Sequence, residues 1–263
     1  MIRTGSKPGA LICACLVALA SREAAAQSVV LSIRPHPGDT LHMRYDQRVE
    51  TIARTQRGHI DSTTTMVSTL LVLSRTIVEA SDSTGTDLVA VTDSVASTST
   101  GGRNAESVDA ARQMLQGKLV HLRILPDGAT VTEDTGATSP DLRSFFAAMP
   151  AILPKAPTPV GRRWKRDMAR GHEEVKTTFK LDSVSKSGDS AFVSVQGTIS
   201  QTSDGPDAKG ESSGTLTGTV LLDLRRGWLT ESRARIEVTS VIRARDAKMR
   251  IKMTVTQWLR AID

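Results

Sequence analysis

Apolar and polar residues alternate along most of the chain, which is the period of β-strands with one buried face. The alternation is clearest in the second half, at residues 174–181, 191–195, 220–224 and 234–255. Turns that contain Gly or Asp separate these stretches. Several stretches exceed the usual strand length, and long strands curve. We therefore predict an all-β, or β-dominated, fold whose long curved antiparallel strands form a barrel or half-barrel.

Two segments depart from this alternation and carry apolar residues at helical spacing. The first covers Asn104–Gln116 and ends at Gly117, a residue type that commonly terminates helices. The second, Ser139–Leu153, starts with a Ser-Pro-Asp sequence that suits a helix N-terminus. The pattern predicts one or two short helices, the second of which either seals the core or forms a lid over a ligand site. Its apolar face consists of Leu142, Phe145, Phe146 and Met149.

The two halves of the chain open with similar Pro/Gly turns. Gly161 in Thr158–Trp164 matches Gly38 in Pro35–Leu41, and in each case a large apolar residue follows three positions later. Both halves then contain a strand that leaves a Gly, a second Gly turn, and a return through an apolar-Thr-Glu step, at 117–133 and 218–231. We interpret this as a decayed internal duplication. Chance is the alternative, because β-rich chains reuse Gly turns.

The first residues have the features of a secretory signal peptide. Arg3 and Lys7 precede an apolar run, and Ala24–Ala26 offers a small-residue cleavage site. Both cysteines of the chain, Cys13 and Cys15, lie inside that run, so the predicted mature protein has none. We expect an exported protein, periplasmic or secreted, with no transmembrane segment after signal cleavage. The predicted organisation is a signal peptide at 1–26, a first β-rich half at 27–137, a helix and Pro-rich linker at 138–157, and a second β-rich half at 158–263.

Positive charge is concentrated in the second half. Residues 27–137 contain 10 Lys and Arg against 13 Asp and Glu, whereas residues 138–263 contain 21 against 14. Six cations share the outward parity of two neighbouring predicted strands and form a stripe that could contact an anionic envelope surface. The alternative is a solvated face that keeps the sheet soluble. Aromatic residues make up only 3% of the chain, which argues against a nucleic-acid partner. The six cations are Arg233, Arg235, Arg243, Arg245, Arg250 and Lys252.

Motifs with known chemistry are weak. Gly210–Gly214 matches the serine-hydrolase pattern G-x-S-x-G, but it ends a predicted polar loop, Gln201–Gly214, and a strand is predicted after it. The pattern requires a strand before the motif and a helix after it. None of the five histidines has the spacing of a zinc site, and no acidic loop has the calcium pattern. We therefore expect a protein without catalytic residues, metal or cofactor.

Three of these features together resemble uncharacterised exported β-rich proteins of bacteria. They are the signal peptide, the opening strands at Gly38–Leu41 and Gly161–Trp164, and the hairpin at Gly218–Glu231. At the level of the fold, a bent antiparallel sheet with a short helix across its mouth is similar to the periplasmic lipoprotein carriers. The resemblance implies no catalytic residues, because none is established for such proteins.

Three functions are compatible with this sequence. The first is a non-catalytic binding or carrier module for an apolar or amphipathic ligand in the cell envelope. Its candidate ligand-binding residues are Phe145, Phe146, Met149 and Trp164. The second is an envelope structural or interaction protein without a ligand, and the third and weakest is a hydrolase that uses Ser212.

Overall fold

The computed structural model describes residues 28–100, 113, 116–132, 153–205 and 208–262. These residues are organised almost entirely as β-strands. In chain order the strands are β1 (Ser28–Val29), β2 (Thr40–Arg57), β3 (Ile60–Ser81), β4 (Thr86–Thr100), β5 (Leu119–Ile124), β6 (Thr130–Thr132), β7 (Thr158–Pro159), β8 (Arg163–Arg170), β9 (Glu173–Val184), β10 (Ser190–Asp204), β11 (Ala208–Asp223), β12 (Trp228–Ala244) and β13 (Ala247–Ala261).

Eleven of these strands form one antiparallel sheet, in the order β6-β5-β4-β3-β2-β13-β12-β11-β10-β9-β8. Strands β2 to β6 form one meander and β8 to β13 form another. The two meanders meet where the last strand, β13, pairs with β2 from Ala247↔Arg57 to Ala261↔Met43. The remaining strands, β1 and β7, pair with each other. This arrangement confirms the predicted all-β fold with long antiparallel strands.

The fully buried side chains gather at one end of the sheet, which we call the proximal end. Most come from the first residues of β2, β4, β10 and β12, from the last residues of β3, β9 and β11, and from β5; Val255 of β13 is buried apart from them. Leu31 and Ile33, from the segment after β1, and Leu153, before β7, are buried with them. The opposite, distal end of the long strands carries alternating exposed and half-buried side chains. We call the face that bears the core the inner face and the opposite one the outer face.

The segment after β1 shows that the sheet is rolled. The backbone N–H of Ile33 donates to the carbonyl oxygen of Pro126 after β5 (2.9 Å), and that of Arg34 donates to Gly227 before β12 (2.7 Å). Consecutive backbone nitrogens are within about 4 Å of each other, so the two carbonyl oxygens lie within about 10 Å. In a flat sheet β5 and β12 would be five strand spacings, or about 24 Å, apart. The sheet therefore curls around the core.

Leu153 connects the two edge strands of the roll. Its N–H donates to the carbonyl oxygen of Asp127, in the turn before β6 (2.9 Å). Its own carbonyl oxygen accepts a hydrogen bond from Arg166 Nη2, on β8 (2.7 Å). Within the described residues β6 and β8 pair with no further strand of this sheet. The roll is thus bridged at its proximal end, and no closed barrel is formed.

Glycines on the inner face allow the sheet to bend. A Cβ atom added at Gly218 would lie 2.4 Å from the carbonyl oxygen of Arg233, and one at Gly214 would lie 2.5 Å from that of Glu237. Both carbonyls belong to the neighbouring strand β12, whose backbone therefore approaches closer than any side chain permits. Glycines at such positions mark sharp bends in a sheet.

The paired opening turns have the same geometry. Gly38 and Gly161 have φ values of 88° and 87°, a conformation that favours glycine. Gly38 N–H donates to Val78 of β3 (2.8 Å), and Gly161 N–H donates to Leu181 of β9 (2.7 Å). Each turn thus docks its strand on the next strand of its own half, as an internal duplication predicts.

One loop prediction is wrong, and several other predictions concern residues outside those that the structure describes. The loop expected over Gln201–Gly214 is wrong, since β10 extends to Asp204 and β11 begins at Ala208. Both helix predictions fall almost wholly outside the described residues. The predicted signal peptide and the residues Phe145, Phe146 and Met149 also lie outside them.

Candidate ligand-binding trough

The inner face continues beyond the core as an apolar surface that we call the trough. The strand registers align its side chains in rows that cross eight strands, from β8 to β3. One row consists of Met168, Val175, Ile199, Gly214, Val238, Met253, Thr51 and Met66. The next row toward the core consists of Arg166, Thr177, Gly197, Leu216, Ile236, Val255, Val49 and Ser68.

The side chains of the trough are only partly covered within the described residues. Ile236, Val238 and Met253 are half-buried, although their chemistry suits a core. Val255, in the second row, is buried. A continuous apolar surface of this kind in a folded protein marks a binding surface. Methionine, present at both ends of the first row, adapts its shape to different partners.

Glycines widen the trough on the β10 and β11 side. Gly197, Gly210, Gly214 and Gly218 all lie on the inner face, where any other residue would project a side chain. Because these glycines have no side chains, the backbone of β10 and β11 is exposed on this side of the trough. Glycine at such positions allows both a bend and the close approach of another molecule.

A polar group marks the boundary between the trough and the core. Tyr45 and Gln257 are hydrogen-bonded through their side chains, and Gln47 lies directly opposite Gln257. Burial raises the pKa of Tyr45 to about 12, while the bond to Gln257 opposes this shift. The phenol is therefore neutral at physiological pH and can donate or accept a hydrogen bond.

Further polar groups are spread along the trough. Ser68 on β3 and Ser97 on β4 belong to the inner face, and both are half-buried. Thr177 on β9 lies in the second row, and Ser212 on β11 lies between two of the trough glycines. In the two rows the one ionisable side chain is that of Arg166, which is engaged with the carbonyl oxygen of Leu153. The trough thus combines apolar contacts with hydroxyl and amide groups.

Trp164, predicted to bind a ligand, lies at the proximal end of β8. Its ring stacks on that of Phe179, with centroids 5.6 Å apart and planes inclined by 10°. Phe179 belongs to the buried core, and Trp164 packs against this core. This position gives Trp164 a role in closing the core beside the trough.

The structure divides the six cations of the predicted stripe into paired and unpaired residues. On β12, Arg233 forms an ion pair with Glu231 and lies over the ring of Trp258 (4.7 Å). Arg235 pairs with Glu237 (2.6 Å), and Arg243 lies 3.8 Å from Glu211. Arg245 is in the turn after β12. Among the described residues, no ion pair involves Arg245, Arg250 or Lys252.

Sequence reasoning missed two members of this basic face. Arg54 on β2 lies directly opposite Arg250, and Lys248 lies directly opposite Arg243. The alternation in β2 places Arg54 on the face opposite to Leu41 and Met43. The alternation could not show which strand lies beside β2, because the partner strand, β13, is close to 200 residues away in the sequence.

Ser212, the candidate nucleophile, lies in the middle of strand β11. Its hydroxyl group forms a hydrogen bond with that of Ser240 on β12, 2.8 Å away. The strained turn between a strand and a helix that exposes such a nucleophile is not formed here. The two glycines of the motif belong to the inner-face glycines of the trough.

Comparison with protein families gives one match. The model of a family of unknown function, DUF6263, matches residues 137–229. The match starts one residue before the predicted helix and linker, runs through β7 to β11 and ends at the start of β12. A search of curated proteins finds no match to this chain. The similarity to an uncharacterised family agrees with the resemblance seen in the sequence.

Several solved structures are similar to the chain at low scores. DynF, from the dynemicin biosynthesis pathway of Micromonospora chersina, is 8% identical, with 88% of this chain and 85% of DynF covered and a TM-score of 0.22. An outer membrane channel of Pseudomonas putida F1 is 13% identical, with coverage of 88% and 98% and a TM-score of 0.22. OccK2 of Pseudomonas aeruginosa, solved with glucuronate, is 8% identical, with coverage of 87% and 100% and a TM-score of 0.23. TM-scores this low support no inference about function.

In the part of the chain that the structure describes, no group of three or more His, Cys, Asp or Glu side chains could hold a metal ion. That part also contains no helix with the length and apolar character needed to span a bilayer.

Proposed function

We propose that this protein is a non-catalytic binding or carrier module for an apolar or amphipathic molecule, held in the trough. The observation that carries the proposal is the row of mainly apolar residues across eight strands of the inner face, in which Ile199, Val238 and Met253 are only half-buried. Apolar sheet faces normally pack against a second layer. Burial by a ligand would supply that layer at about 25 cal/mol per Å² of apolar surface.

The distribution of polar groups favours an amphipathic ligand with an uncharged polar part. Tyr45, Gln47 and Gln257 lie where the trough meets the core, and the apolar rows extend from there toward the distal end. Amide and hydroxyl groups pair with carbonyl, hydroxyl or amide groups of a ligand. The one charged side chain in the two rows, that of Arg166, already donates to Leu153. An ionised group of the ligand would therefore find no free counterion in these rows.

The cell envelope is the proposed site of action. The predicted signal peptide at residues 1–26 supports export, to the periplasm or beyond. Amphipathic molecules of the envelope need a protein that shields their apolar part while they cross an aqueous compartment. The alternative is an envelope interaction protein that uses the same sheet faces without a ligand.

An apolar fluorescent probe tests the proposal directly. We expect the purified protein to bind N-phenyl-1-naphthylamine with increased fluorescence. Ile199→Glu should weaken this binding at least tenfold, because it places a carboxylate in the apolar row. The matched control is Thr198→Glu, which adds the same charge one residue away on the exposed outer face.

Thermal unfolding of both variants shows whether they fold, and Ile199→Ser replaces Ile199→Glu if the latter does not. Native mass spectrometry of protein purified from its own envelope tests for a bound lipid independently. A wild-type protein that binds no probe and carries no lipid would contradict the proposal and favour the interaction protein. Equal loss of probe binding in the Thr198→Glu control would also contradict it.

A further inference from the structure

Two arginines face each other without a counterion at the distal end of the outer face. Arg54 on β2 and Arg250 on β13 are direct cross-strand partners. Side chains in such positions have Cβ atoms about 5 Å apart, and like charges there destabilise the sheet. Among the described residues, no carboxylate forms an ion pair with either guanidinium group. The pair thus carries an electrostatic cost that an anionic partner would remove.

Further cations surround this pair. Lys248 and Lys252 flank Arg250 on the same face of β13, two residues to either side. Arg243 lies opposite Lys248, and its nearest acidic partner is Glu211 at 3.8 Å. Asp61, opposite Gln56, is the acidic residue of β3 nearest to this group. Glu50 and Glu237 border the group on its proximal side, where Arg48 and Arg235 neutralise them.

Exposed apolar side chains occur at the same end of the sheet. Ile60, beside the β2–β3 turn at the distal end, pairs with Arg57 and so projects on the inner-face side; at 72% it is the most exposed large apolar residue that the structure describes. Ile52 is 40% exposed and lies directly opposite Lys252, within the cationic group. The two neighbouring hairpin ends are held together by an ion pair between Arg57 and Asp246 (2.7 Å). We name this region the distal basic tip: Ile52, Arg54, Ile60, Lys248, Arg250 and Lys252.

We propose that the distal basic tip docks the protein on the surface of an anionic lipid bilayer. Cations without protein counterions attract acidic headgroups, and isoleucine side chains beside them can enter the boundary between headgroups and acyl chains. A nucleic acid or an acidic protein would match the charge but would leave Ile60 in water. Docking here does not require that the trough hold a ligand.

Vesicle flotation with the full-length mature protein tests the proposal. We expect the protein to float with vesicles of equimolar phosphatidylglycerol and phosphatidylcholine but not with phosphatidylcholine alone. Added salt should weaken the binding by screening. Each cation near the surface changes the affinity about fivefold, so Arg54→Gln combined with Arg250→Gln should lower it about 25-fold.

The matched control replaces both members of two ion pairs by glutamine, Arg48 with Glu50 and Arg235 with Glu237. It removes two guanidinium groups from the same face together with the carboxylates that neutralise them, so the net charge is unchanged. We expect it to retain most of the vesicle affinity. Ile60→Ser should weaken binding, whereas Ile77→Ser should not. Ile77 is 37% exposed at the proximal end of the same strand.

Several results would overturn the proposal. They are absence of flotation with anionic vesicles, equal flotation with neutral vesicles, or an equal loss in the Arg48 and Arg235 control. Binding to double-stranded DNA without binding to vesicles would also overturn the proposal, because the distal basic tip would then bind a nucleic acid and not a bilayer. The variant with Arg54→Gln and Arg250→Gln should bind N-phenyl-1-naphthylamine like the wild type. Measuring this binding separates the test of the distal basic tip from the test of the trough.

Discussion

Replacing Gly218 by alanine tests whether the backbone of β12 approaches β11 as closely as the structure shows, the contact from which we infer a bend in β11. Alanine normally stabilises a strand relative to glycine by about 0.5–1 kcal/mol, since glycine has more freedom to lose on folding. In this protein the added Cβ would lie 2.4 Å from the carbonyl oxygen of Arg233, whereas ordinary contact begins at 3.4 Å. The backbone of β12 would therefore have to move by about 3.4 − 2.4 = 1.0 Å.

The expected cost follows from this displacement. Overpacking against a fixed backbone costs about 1–3 kcal/mol, and the gain from alanine offsets part of it. We expect Gly218→Ala to lower the free energy of unfolding by about 1–2 kcal/mol net and Tm by about 2–8 °C. Gly214→Ala should behave similarly, because its Cβ would lie 2.5 Å from the carbonyl oxygen of Glu237.

The matched control is Gly210→Ala, on the same strand and face. There the added Cβ would lie 2.5 Å from Ser203 Oγ, a side-chain atom that can rotate away. This variant should be neutral or slightly more stable than the wild type. Urea unfolding of the variants, with thermal unfolding as a second measurement, gives the comparison. If Gly218→Ala is as stable as Gly210→Ala, the bend at β11 is wrong.

Three further predictions concern single side chains. Trp164→Ala should cost about 2–4 kcal/mol in urea unfolding, since the ring packs half-buried on Phe179, and a cost below that of a surface change would contradict this packing. The pKa of Asp82 is lowered to about 2, first by the hydroxyl group of Thr84 and then by backbone N–H groups, so the wild type should lose stability as pH falls from about 4 to 2. Asp82→Asn should lack that loss, and acid unfolding curves that stay parallel would refute the assignment. Ser212→Ala should cost only about 0.5–1.5 kcal/mol, the usual value of one hydrogen bond, and a fluorophosphonate should leave wild-type Ser212 unlabelled.

The alternation of residues was sufficient to predict most of the strands and the faces of strands such as β2. In β2 it separates Leu41 and Met43 from Arg44 and Arg54, because the pleat directs successive side chains to opposite sides wherever the strand lies. The turns at Gly38 and Gly161 were equally predictable, since a positive φ favours glycine whatever surrounds it. These are properties of a few consecutive residues.

The neighbours of each strand were decided only by the tertiary structure. Arg54 lies beside Arg250 because the last strand of the chain returns to pair with β2, a contact that no local pattern encodes. The Gly-Glu-Ser-Ser-Gly sequence has the composition of a flexible loop, but its place between β10 and β12 makes it a bent strand. The trough likewise exists because the sheet rolls, which brings apolar rows of eight strands onto one concave face. Periodicity depends on the backbone of one segment, whereas curvature and strand order depend on the packing of all segments together.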